Sequence, residues 1–304
     1  MAKNGRVQSK ILPVEENISV KDQFGFLPLS VIKPTKESKA KWKEAYLDDG
    51  EIELRQISGT YSNDGSTGSQ KMSEFHAGMA ENIIRYWSLP GARIVDPFAG
   101  RATRAVVSTK LGRDYYGYEI TPTTHKRVVN HFEKIGVKTN LYLSDGTELK
   151  ETPDNFSDLI FTCPPYYNIE KYESVDGQLS DCKSYDSFME MVDKCAQNCF
   201  RVAKDGSFCV WVVADFRRGG NLFDFHGDTI SSFKKAGFNY HDIMIMENIS
   251  PYANFTTYQS ACKRYAPKTH EYVLVFRKPG EYEIPEYCSE NLIESDSKLN
   301  KFFK

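Results

Sequence analysis

The sequence predicts an α/β fold built on a mostly parallel sheet of seven strands, one of them antiparallel. Short runs of β-branched and aromatic residues alternate with helical patterns along most of the chain, which is typical of a doubly wound sheet. The last two strands, expected at Asn239–Glu247 and Glu271–Arg277, have no helical pattern between them. Because parallel neighbours need a crossover helix, this pair indicates an antiparallel strand at one end of the sheet.

The first strand of the main domain is expected to begin at Arg93. It runs into a turn of small residues within Arg93–Thr103, and a helical pattern follows at Ala105–Leu111. Gly100 and Ala102 leave room for backbone amides to approach a ligand closely. Glycine turns after strands are common, so this motif gains its weight from the strands that follow.

Two of those strands end in acidic residues. The strand Asp114–Ile120 carries Glu119 near its end, about 20 positions after the glycine turn, which is the spacing of acids that bind ribose hydroxyls. The strand Lys138–Asp145 ends in Asp145. Since the carboxyl ends of parallel strands share one edge of a sheet, both acids should face the same crevice.

The next strand, Leu159–Thr162, stops at Cys163-Pro164-Pro165-Tyr166. Proline lacks the amide donor and fixes φ, so a double proline ends the strand rigidly at the sheet edge. A fixed carbonyl group and an aromatic ring therefore stand at the carboxyl end of a strand, where open α/β sheets bind ligands.

The expected domain organisation has three parts: an N-terminal extension at 1–57, a main domain at 58–280 and a polar C-terminal tail at 281–304. Within the extension, the apolar segment Asp22–Pro34 should dock on the main domain. Lys36–Leu47 is basic and helix-prone.

Helices and a further strand complete the predicted main domain. A helix is expected over Ser73–Trp87 with Ser73 as its N-cap, and others over Tyr185–Val202 and Gly227–Ala236. A strong strand pattern covers Ser207–Ala214.

The composition limits the classes of function. The chain has 304 residues, of which 40% are hydrophobic, enough for a substantial core. A formal net charge of −2 at pH 7 gives no global basic surface, so a nucleic-acid contact has to use a local patch. The seven cysteines show no metal-binding spacing, and no apolar run reaches the length of a membrane span. We therefore expect a reduced, cytoplasmic protein with no bound metal and no membrane contact.

Two motifs together resemble the signatures of S-adenosylmethionine-dependent DNA amino-methyltransferases, which methylate N4 of cytosine or N6 of adenine. They are Asp96-Pro-Phe-Ala-Gly100 and Thr162-Cys-Pro-Pro-Tyr166, with the cofactor motif first. More narrowly, the chain is similar to a phage and prophage group of DNA methylases. That likeness covers roughly residues 22–279. It implies a Rossmann-like class I methyltransferase fold, S-adenosylmethionine as cofactor and a base flipped out of duplex DNA as substrate. A restriction-modification or phage setting is implied as well.

The resemblance assigns the chemistry to Cys163, Pro164, Pro165 and Tyr166. An exocyclic amine is a poor nucleophile because its lone pair is delocalised into the base. The Pro164 carbonyl and the side chain at position 163 would accept hydrogen bonds from the amine, and Tyr166 would stack on the flipped base. Because a thiol is a weak acceptor, the Pro164 carbonyl should carry more of this task.

For the cofactor, the same resemblance implies ribose binding by Glu119 and adenine binding by Asp145. Phe75 would pack on one end of the cofactor. The remaining residues that the resemblance places at the cofactor are Asp96, Pro97, Phe98, Gly100, Ala102, Thr103 and Thr162.

The candidate DNA-recognition loop lies at 248–269, where basic and aromatic side chains are interleaved. Two arginines after the strand at Ser207–Ala214 add to this basic surface. The residues expected to contact DNA are Tyr167, Arg217, Arg218, Tyr258, Lys263, Arg264 and Lys268.

The chain departs from the family pattern in two ways. The residue before Pro-Pro is usually Asp, Asn or Ser, and here it is Cys163. Serine is nearest to cysteine in shape and is typical of N4-cytosine enzymes, which favours cytosine slightly over adenine. No large inserted target-recognition domain is visible, so specificity should come from short loops. Two alternatives stay open: amino-methylation of an RNA base, and a catalytically inactive nucleic-acid-binding relic.

Overall fold

The computed structural model describes residues 19–47, 74–167, 173–218, 220–247, 261–266 and 268–288. Within them the strands are β1 (Val31–Ile32), β2 (Arg93–Asp96), β3 (Asp114–Glu119), β4 (Asn140–Leu143), β5 (Ser157–Thr162), β6 (Ala203–Val213), β7 (Phe216–Arg218), β8 (Asn221–Phe223), β9 (Asn239–Glu247) and β10 (His270–Arg277). The α-helices are α1 (Val20–Phe24), α2 (Lys36–Lys41), α3 (Ala77–Trp87), α4 (Thr103–Lys110), α5 (Pro122–Ile135), α6 (Tyr185–Val202) and α7 (Phe225–Ala236).

Eight strands form one mixed sheet in the order β1-β9-β10-β6-β5-β2-β3-β4. Strand β10 runs antiparallel to both of its neighbours, and the other neighbouring pairs are parallel. The chain runs outward from β2 to β4 and then returns to β5 on the other side of β2. The strand order therefore reverses between β2 and β5, and open α/β sheets bind ligands at such a switch point. This topology confirms the predicted Rossmann-like fold class.

Helical layers cover both faces of the sheet. Strand β5 is buried along its whole length, as a central parallel strand should be. Its Phe161 faces the layer that contains α3 and α4, whereas Ile160 faces the layer of α6 and α7. None of the described helices is both long and apolar enough to cross a membrane.

An eighth strand, which the sequence did not predict, comes from the N-terminal extension. Val31 and Ile32 pair with Ile245 and Met246 of β9 and extend the sheet at that edge. A run of two paired residues is too short to show an alternating pattern. Nearby, the ring of Phe24 packs edge-on against Tyr86 of α3, with 5.1 Å between the ring centroids. The segment predicted to dock on the domain thus does so within the described residues.

Two helices begin at residues other than those predicted. Helix α3 begins at Ala77 with His76 as N-cap, so a start capped by Ser73 is wrong. His76 has an extended backbone, and Phe75 just before it packs on Phe161 of β5, with 5.5 Å between the ring centroids. Helix α7 begins earlier than predicted, because the side chain of Asp224 accepts a hydrogen bond from the backbone of its first turn. Strands β7 and β8, which form a separate hairpin, were not predicted.

The start of the predicted C-terminal tail is part of the folded domain. Asp158, buried in β5, accepts hydrogen bonds from the hydroxyls of Tyr282 at 2.9 Å and Tyr287 at 2.8 Å. The same carboxylate accepts from Lys204 Nζ at 2.8 Å and from the backbone amide of Arg93 at 2.8 Å. Residues 281–288 are therefore held against the sheet, and the rest of the tail lies outside the described residues.

Replacing Asp158 with alanine should lower the free energy of unfolding by about 3 kcal/mol, because it removes the shared acceptor of the largely buried Lys204 ammonium and of the hydroxyls of Tyr282 and Tyr287. Urea unfolding followed by circular dichroism measures this loss. The matched control is Asp154→Ala, which removes a carboxylate that is 75% exposed in its ion pair with Arg201. That variant should lose less than about 1 kcal/mol. Equal losses in the two variants would contradict the role given to Asp158.

Candidate active site

A cavity of about 420 Å³ opens at the carboxyl ends of β2, β3, β4 and β5, at the switch point of the sheet. Its volume lies in the range of small-molecule sites, about 300–1,000 Å³. The loops after these strands form its main wall, and the N-terminal segment at 34–39 and the edges of β9 and β10 close the other side. Ten of the predicted site residues line it: Phe75, Pro97, Phe98, Gly100, Glu119, Asp145, Cys163, Pro164, Pro165 and Tyr166.

Four residues predicted at the cofactor do not line the cavity: Asp96, Ala102, Thr103 and Thr162. All four are almost completely inaccessible to solvent, with at most 2% exposure. They lie behind the residues that line the cavity, and their direct contact with the cofactor stays a prediction.

Asp96 supports the cavity wall from behind. Its carboxylate accepts hydrogen bonds from the hydroxyl of Thr162 at 2.6 Å, the hydroxyl of Tyr115 at 2.7 Å and Nε of Arg104 at 2.7 Å. It also accepts from the backbone amide of Phe98 at 3.1 Å, in the turn that faces the cavity. Burial, followed by the nearby Asp96 carboxylate, raises the pKa of Tyr115 well above its ordinary value, so this hydroxyl keeps its proton as a donor.

The turn after β2 has the backbone shape that its small residues favour. Gly100 has φ +53°, in the left-handed region that glycine enters without strain. Ala102, the N-cap of α4, has φ +34°, a conformation that costs a non-glycine residue on the order of 1–3 kcal/mol. The network around Asp96 supplies contacts that hold this turn in place.

Glu119 and Asp145, the two acidic residues predicted at the ends of neighbouring strands, both line the cavity. Glu119 accepts hydrogen bonds from the backbone amide of Thr121 at 2.7 Å and from the Thr121 hydroxyl. Burial raises the pKa of Glu119, and these two bonds oppose the rise. Asp145 accepts from the backbone amide of Thr147 at 2.8 Å through Oδ1.

Two glycines that the sequence reading missed shape the wall around Asp145. A Cβ atom at Gly146 would lie 1.7 Å from the carbonyl oxygen of Pro97, so only glycine lets the loop after β4 pack on the β2 turn. Gly177, at φ +85°, would place a Cβ 3.3 Å from a carboxylate oxygen of Asp145. Another missed pair is Arg101 with Glu74, whose ion pair of 3.0 Å lies in the same wall.

The donor and acceptor groups of this cavity fit S-adenosylmethionine. Carboxylates accept hydrogen bonds from ribose hydroxyls and from an adenine amino group, and two such groups, Glu119 and Asp145, stand at neighbouring strand ends. Phe75 and Phe98 provide apolar surface on the same cavity. Gly100 leaves the turn after β2 without a side chain at the cavity.

The Cys-Pro-Pro-Tyr segment forms the wall after β5. Cys163 is half-buried and packs on the core layer of α3, whereas Pro164 is buried. The Tyr166 ring lines the cavity and contacts Phe225 and Phe216, with centroids 6.1 Å and 6.4 Å away. The chain therefore places a backbone carbonyl, a thiol and an aromatic face beside each other.

Tyr167, predicted at the DNA, lies outside the cavity wall. Its ring packs among Tyr185 and Phe188, each 5.8 Å away, and its hydroxyl donates to the Lys183 carbonyl at 3.4 Å. This packing gives it a structural role within the described residues. Its contact with DNA stays a prediction.

The structure brings part of the predicted DNA surface together. The Arg217 guanidinium of β7 lies 4.4 Å from the centre of the Tyr265 ring, which joins the β7–β8 hairpin to the segment 261–266. Lys263, Arg264 and Lys268 are exposed, and Arg218 is half-exposed. Tyr258 and the rest of the predicted loop at 248–260 lie outside the described residues.

One cluster bears on the expected absence of a metal. Ligand atoms of Asp215, Asp224 and His226 all lie within 4.8 Å of one another. His226 Nδ1 is 2.8 Å from a carboxylate oxygen of each aspartate, and the imidazole stacks on Tyr272 with 4.0 Å between centroids. These contacts join the three residues to one another at the start of α7. The absence of a metal stays a prediction.

Comparison with protein families decides the family. A family model described as DNA methylase, of the N6/N4 methyltransferase type, matches residues 16–130 and 157–302, which is most of the chain. The chain belongs to this family. Membership confirms the resemblance carried by the two motifs, and with it S-adenosylmethionine as the cofactor.

Two curated relatives of this family member are methyltransferases from Bacillus. The type II beta methyltransferase M.BslI of Bacillus sp. (strain NEB-606) is 29% identical over 181 residues, which cover 52% of this chain and 18% of that protein. The orphan methyltransferase M.BamHII of Bacillus amyloliquefaciens is 33% identical over 93 residues, 31% of this chain and 30% of that protein. The matched part of this chain therefore spans less than a third of either relative.

A solved structure of TTHA0409 from Thermus thermophilus, complexed with S-adenosyl-L-methionine, also resembles the chain. It is 29% identical with a TM-score of 0.34, and the match covers 45% of this chain and 54% of that chain.

Proposed function

We propose that this chain transfers a methyl group from S-adenosylmethionine to an exocyclic amino group of a DNA base that is flipped out of the duplex. The observation that carries the proposal is a cavity that brings Glu119 and Asp145 together with the Cys163–Tyr166 segment. The part of the cavity at Glu119 and Asp145 suits the nucleoside of the cofactor. The part at the Cys163–Tyr166 segment suits a base that stacks on Tyr166 with its amino group near the Pro164 carbonyl. The target is N4 of cytosine or N6 of adenine, and Cys163 in a position where serine is typical favours cytosine.

The chain's residues act by binding and orientation. When bound, S-adenosylmethionine supplies an electrophilic methyl group. The Pro164 carbonyl accepts a hydrogen bond from the exocyclic amine, which favours a more tetrahedral nitrogen with its lone pair directed outward. Tyr166 stacks on the base and holds it in the cavity, since a paired base in the duplex cannot reach this depth. Most of the rate enhancement then comes from positioning rather than from a strong base.

The wider DNA contact is proposed for the surface around the β7–β8 hairpin. Arg217, held over the Tyr265 ring, lies beside the exposed Lys263 and Arg264 segment. Such side chains neutralise backbone phosphates, which makes binding fall steeply with salt. The short length of these elements supports a short recognition site. A setting in restriction-modification or in a phage genome is part of the same proposal.

Cofactor affinity should decrease as the pH falls, and Glu119 should be the cause. Burial raises the pKa of Glu119, so protonation begins at a higher pH than in an ordinary glutamate. Ribose hydroxyls favour the ionised form, so affinity is full above the raised pKa and is lost as pH falls through it. Calorimetric titration of S-adenosylmethionine between about pH 8 and about pH 5.5 measures this slope.

The Glu119→Gln variant should bind the cofactor more weakly at neutral pH and lose most of the slope. The matched control is Glu148→Gln. Hydrogen bonds from Lys150 and Lys194 lower the pKa of the half-exposed Glu148 to about 2, so it does not titrate in this range. A slope that persists in Glu119→Gln would remove Glu119 from the cofactor site.

The experiment that tests the function uses the purified chain, tritiated S-adenosylmethionine, and unmethylated DNA or RNA in parallel. The nucleic acid is digested to nucleosides and chromatographed. We expect label in N4-methyldeoxycytidine, or in N6-methyldeoxyadenosine if the target is adenine. Label in RNA nucleosides alone would replace DNA by RNA as the substrate. Cofactor binding without label in either would support an inactive relic.

A further inference from the structure

Strand β10 brings a carboxylate, that of Glu271, to the part of the cavity where the base would lie. Glu271, the second residue of that strand, lines the cavity together with Cys163, Pro164 and Tyr166. It is half-buried and is separated from Cys163 by more than a hundred residues of sequence. Neither of the two sequence motifs includes it.

The sheet register places Glu271 and Cys163 on the same face. Thr162 of β5 pairs with Trp211 of β6, and Trp211 pairs with Leu274 of β10. One residue further on, Cys163 is therefore level with Val273, and both pack in the core layer of α3. Because side chains alternate along a strand, Glu271 points to this same face, two residues nearer the edge of the sheet.

The separation suits one flat base. Strand β6 lies between β5 and β10, so two strand spacings of about 4.8 Å separate the two strands. The backbones of β5 and β10 are therefore about 10 Å apart at the sheet edge, and the side chain of Glu271 takes up part of that distance.

The chemistry of the site calls for such a group. An exocyclic amine has two N–H donors, and the Pro164 carbonyl accepts from one of them. The side chain at position 163 would accept from the other in an enzyme with Asp, Asn or Ser there, but the thiol of Cys163 is a weak acceptor. An ionised carboxylate accepts only, and its hydrogen bonds are the stronger, charge-assisted kind.

We propose that Glu271 is a catalytic residue that accepts a hydrogen bond from the exocyclic amine of the flipped base and compensates for the thiol of Cys163. The inference rests on the proposed function. The carboxylate selects bases with an amino group at this position, because the keto oxygens of thymine and guanine are acceptors and would be repelled.

The test compares Glu271→Gln, Glu271→Ala and Glu271→Asp with the wild-type chain in steady-state methylation of unmethylated DNA. We expect kcat to fall about 10- to 100-fold in the alanine variant and less in the glutamine variant, whose amide oxygen still accepts a hydrogen bond. The aspartate variant should recover part of the loss. The dissociation constant of S-adenosylmethionine, measured separately by calorimetry, should stay within about twofold because only the base contact changes.

The matched control is Glu190→Gln, an exposed glutamate on α6, which should keep wild-type activity. If Glu271→Ala does not fold, Glu271→Gln decides alone because it preserves the side-chain shape. Equal kcat in the wild type, Glu271→Gln and Glu271→Ala would overturn the inference while leaving the proposed function intact. A wild-type chain that methylates no nucleic acid would overturn the proposed function instead.

Discussion

Replacing Tyr166 with alanine is expected to lower methyl transfer to DNA about 10- to 100-fold while cofactor affinity changes little. The ring lines the cavity and is supported from behind by Phe225, with centroids 6.1 Å apart. Stacking of a base on an aromatic side chain contributes about 1–3 kcal/mol, which corresponds to this loss. Single-turnover methylation with labelled S-adenosylmethionine measures the rate.

Two further variants make the result specific. Tyr166→Phe keeps the stacking face and should retain most of the rate. Tyr240→Ala removes a tyrosine that is 37% exposed on β9 and outside the cavity wall, and it should leave the rate unchanged. If Tyr166→Ala methylated DNA at the wild-type rate, the target base would not stack on this ring.

Replacing Asp96 with alanine is expected to have the largest effect on stability, a loss of about 3–5 kcal/mol in the free energy of unfolding. The substitution leaves the guanidinium of Arg104 buried without its carboxylate, and it removes the acceptor of Tyr115 and Thr162. Urea unfolding gives the loss directly. Cofactor affinity should fall as well, because the turn that carries Phe98 loses its anchor.

The control for Asp96 is Asp205→Ala, which removes a carboxylate that is 64% exposed and pairs with Lys278 at 3.3 Å. Its loss should stay below about 1 kcal/mol. Replacing Asp96 and Arg104 together by apolar residues should cost less than the sum of the single changes, since the two groups depend on each other. Equal destabilisation by Asp96→Ala and Asp205→Ala would show that the buried network does not hold the turn.

Local patterns were enough to predict the centre of the fold. Each strand of the β2–β5 region ends in a polar or proline-containing turn, which marks the carboxyl edge of the sheet. Glu119 and Asp145 were identified because the carboxyl ends of parallel strands must meet at one edge. Cys163 and Tyr166 were identified because a double proline can only leave a strand, not continue it.

The features that were missed depend on contacts between residues far apart in sequence. Asp96 was expected to touch the cofactor, and only the positions of Arg104 and Tyr115 show that it is enclosed. Gly146 gives no local signal of its packing against Pro97. The extension was expected to dock, but its contribution of residues 34–39 to the cavity wall depends on β1 joining β9.

Glu271 is another residue whose position at the cavity depends on contacts between segments far apart in sequence. In the sequence it opens a strand, and nothing local marks it as different from any other glutamate at a strand end. Its place at the cavity follows from the pairing of β10 with β6, which brings it level with the loop after β5. Register across three strands cannot be read from one strand's pattern.

The central claim is that one cavity holds both the methyl donor and the target base. A crystal structure of the chain with S-adenosylmethionine tests this claim most directly. We expect the ribose hydroxyls on Glu119, the adenine amino group beside Asp145 and the methyl group facing the Cys163–Pro164 turn. The space between that turn, Tyr166 and Glu271 should stay open for a base. A cofactor bound elsewhere, or one that fills this space, would contradict the account.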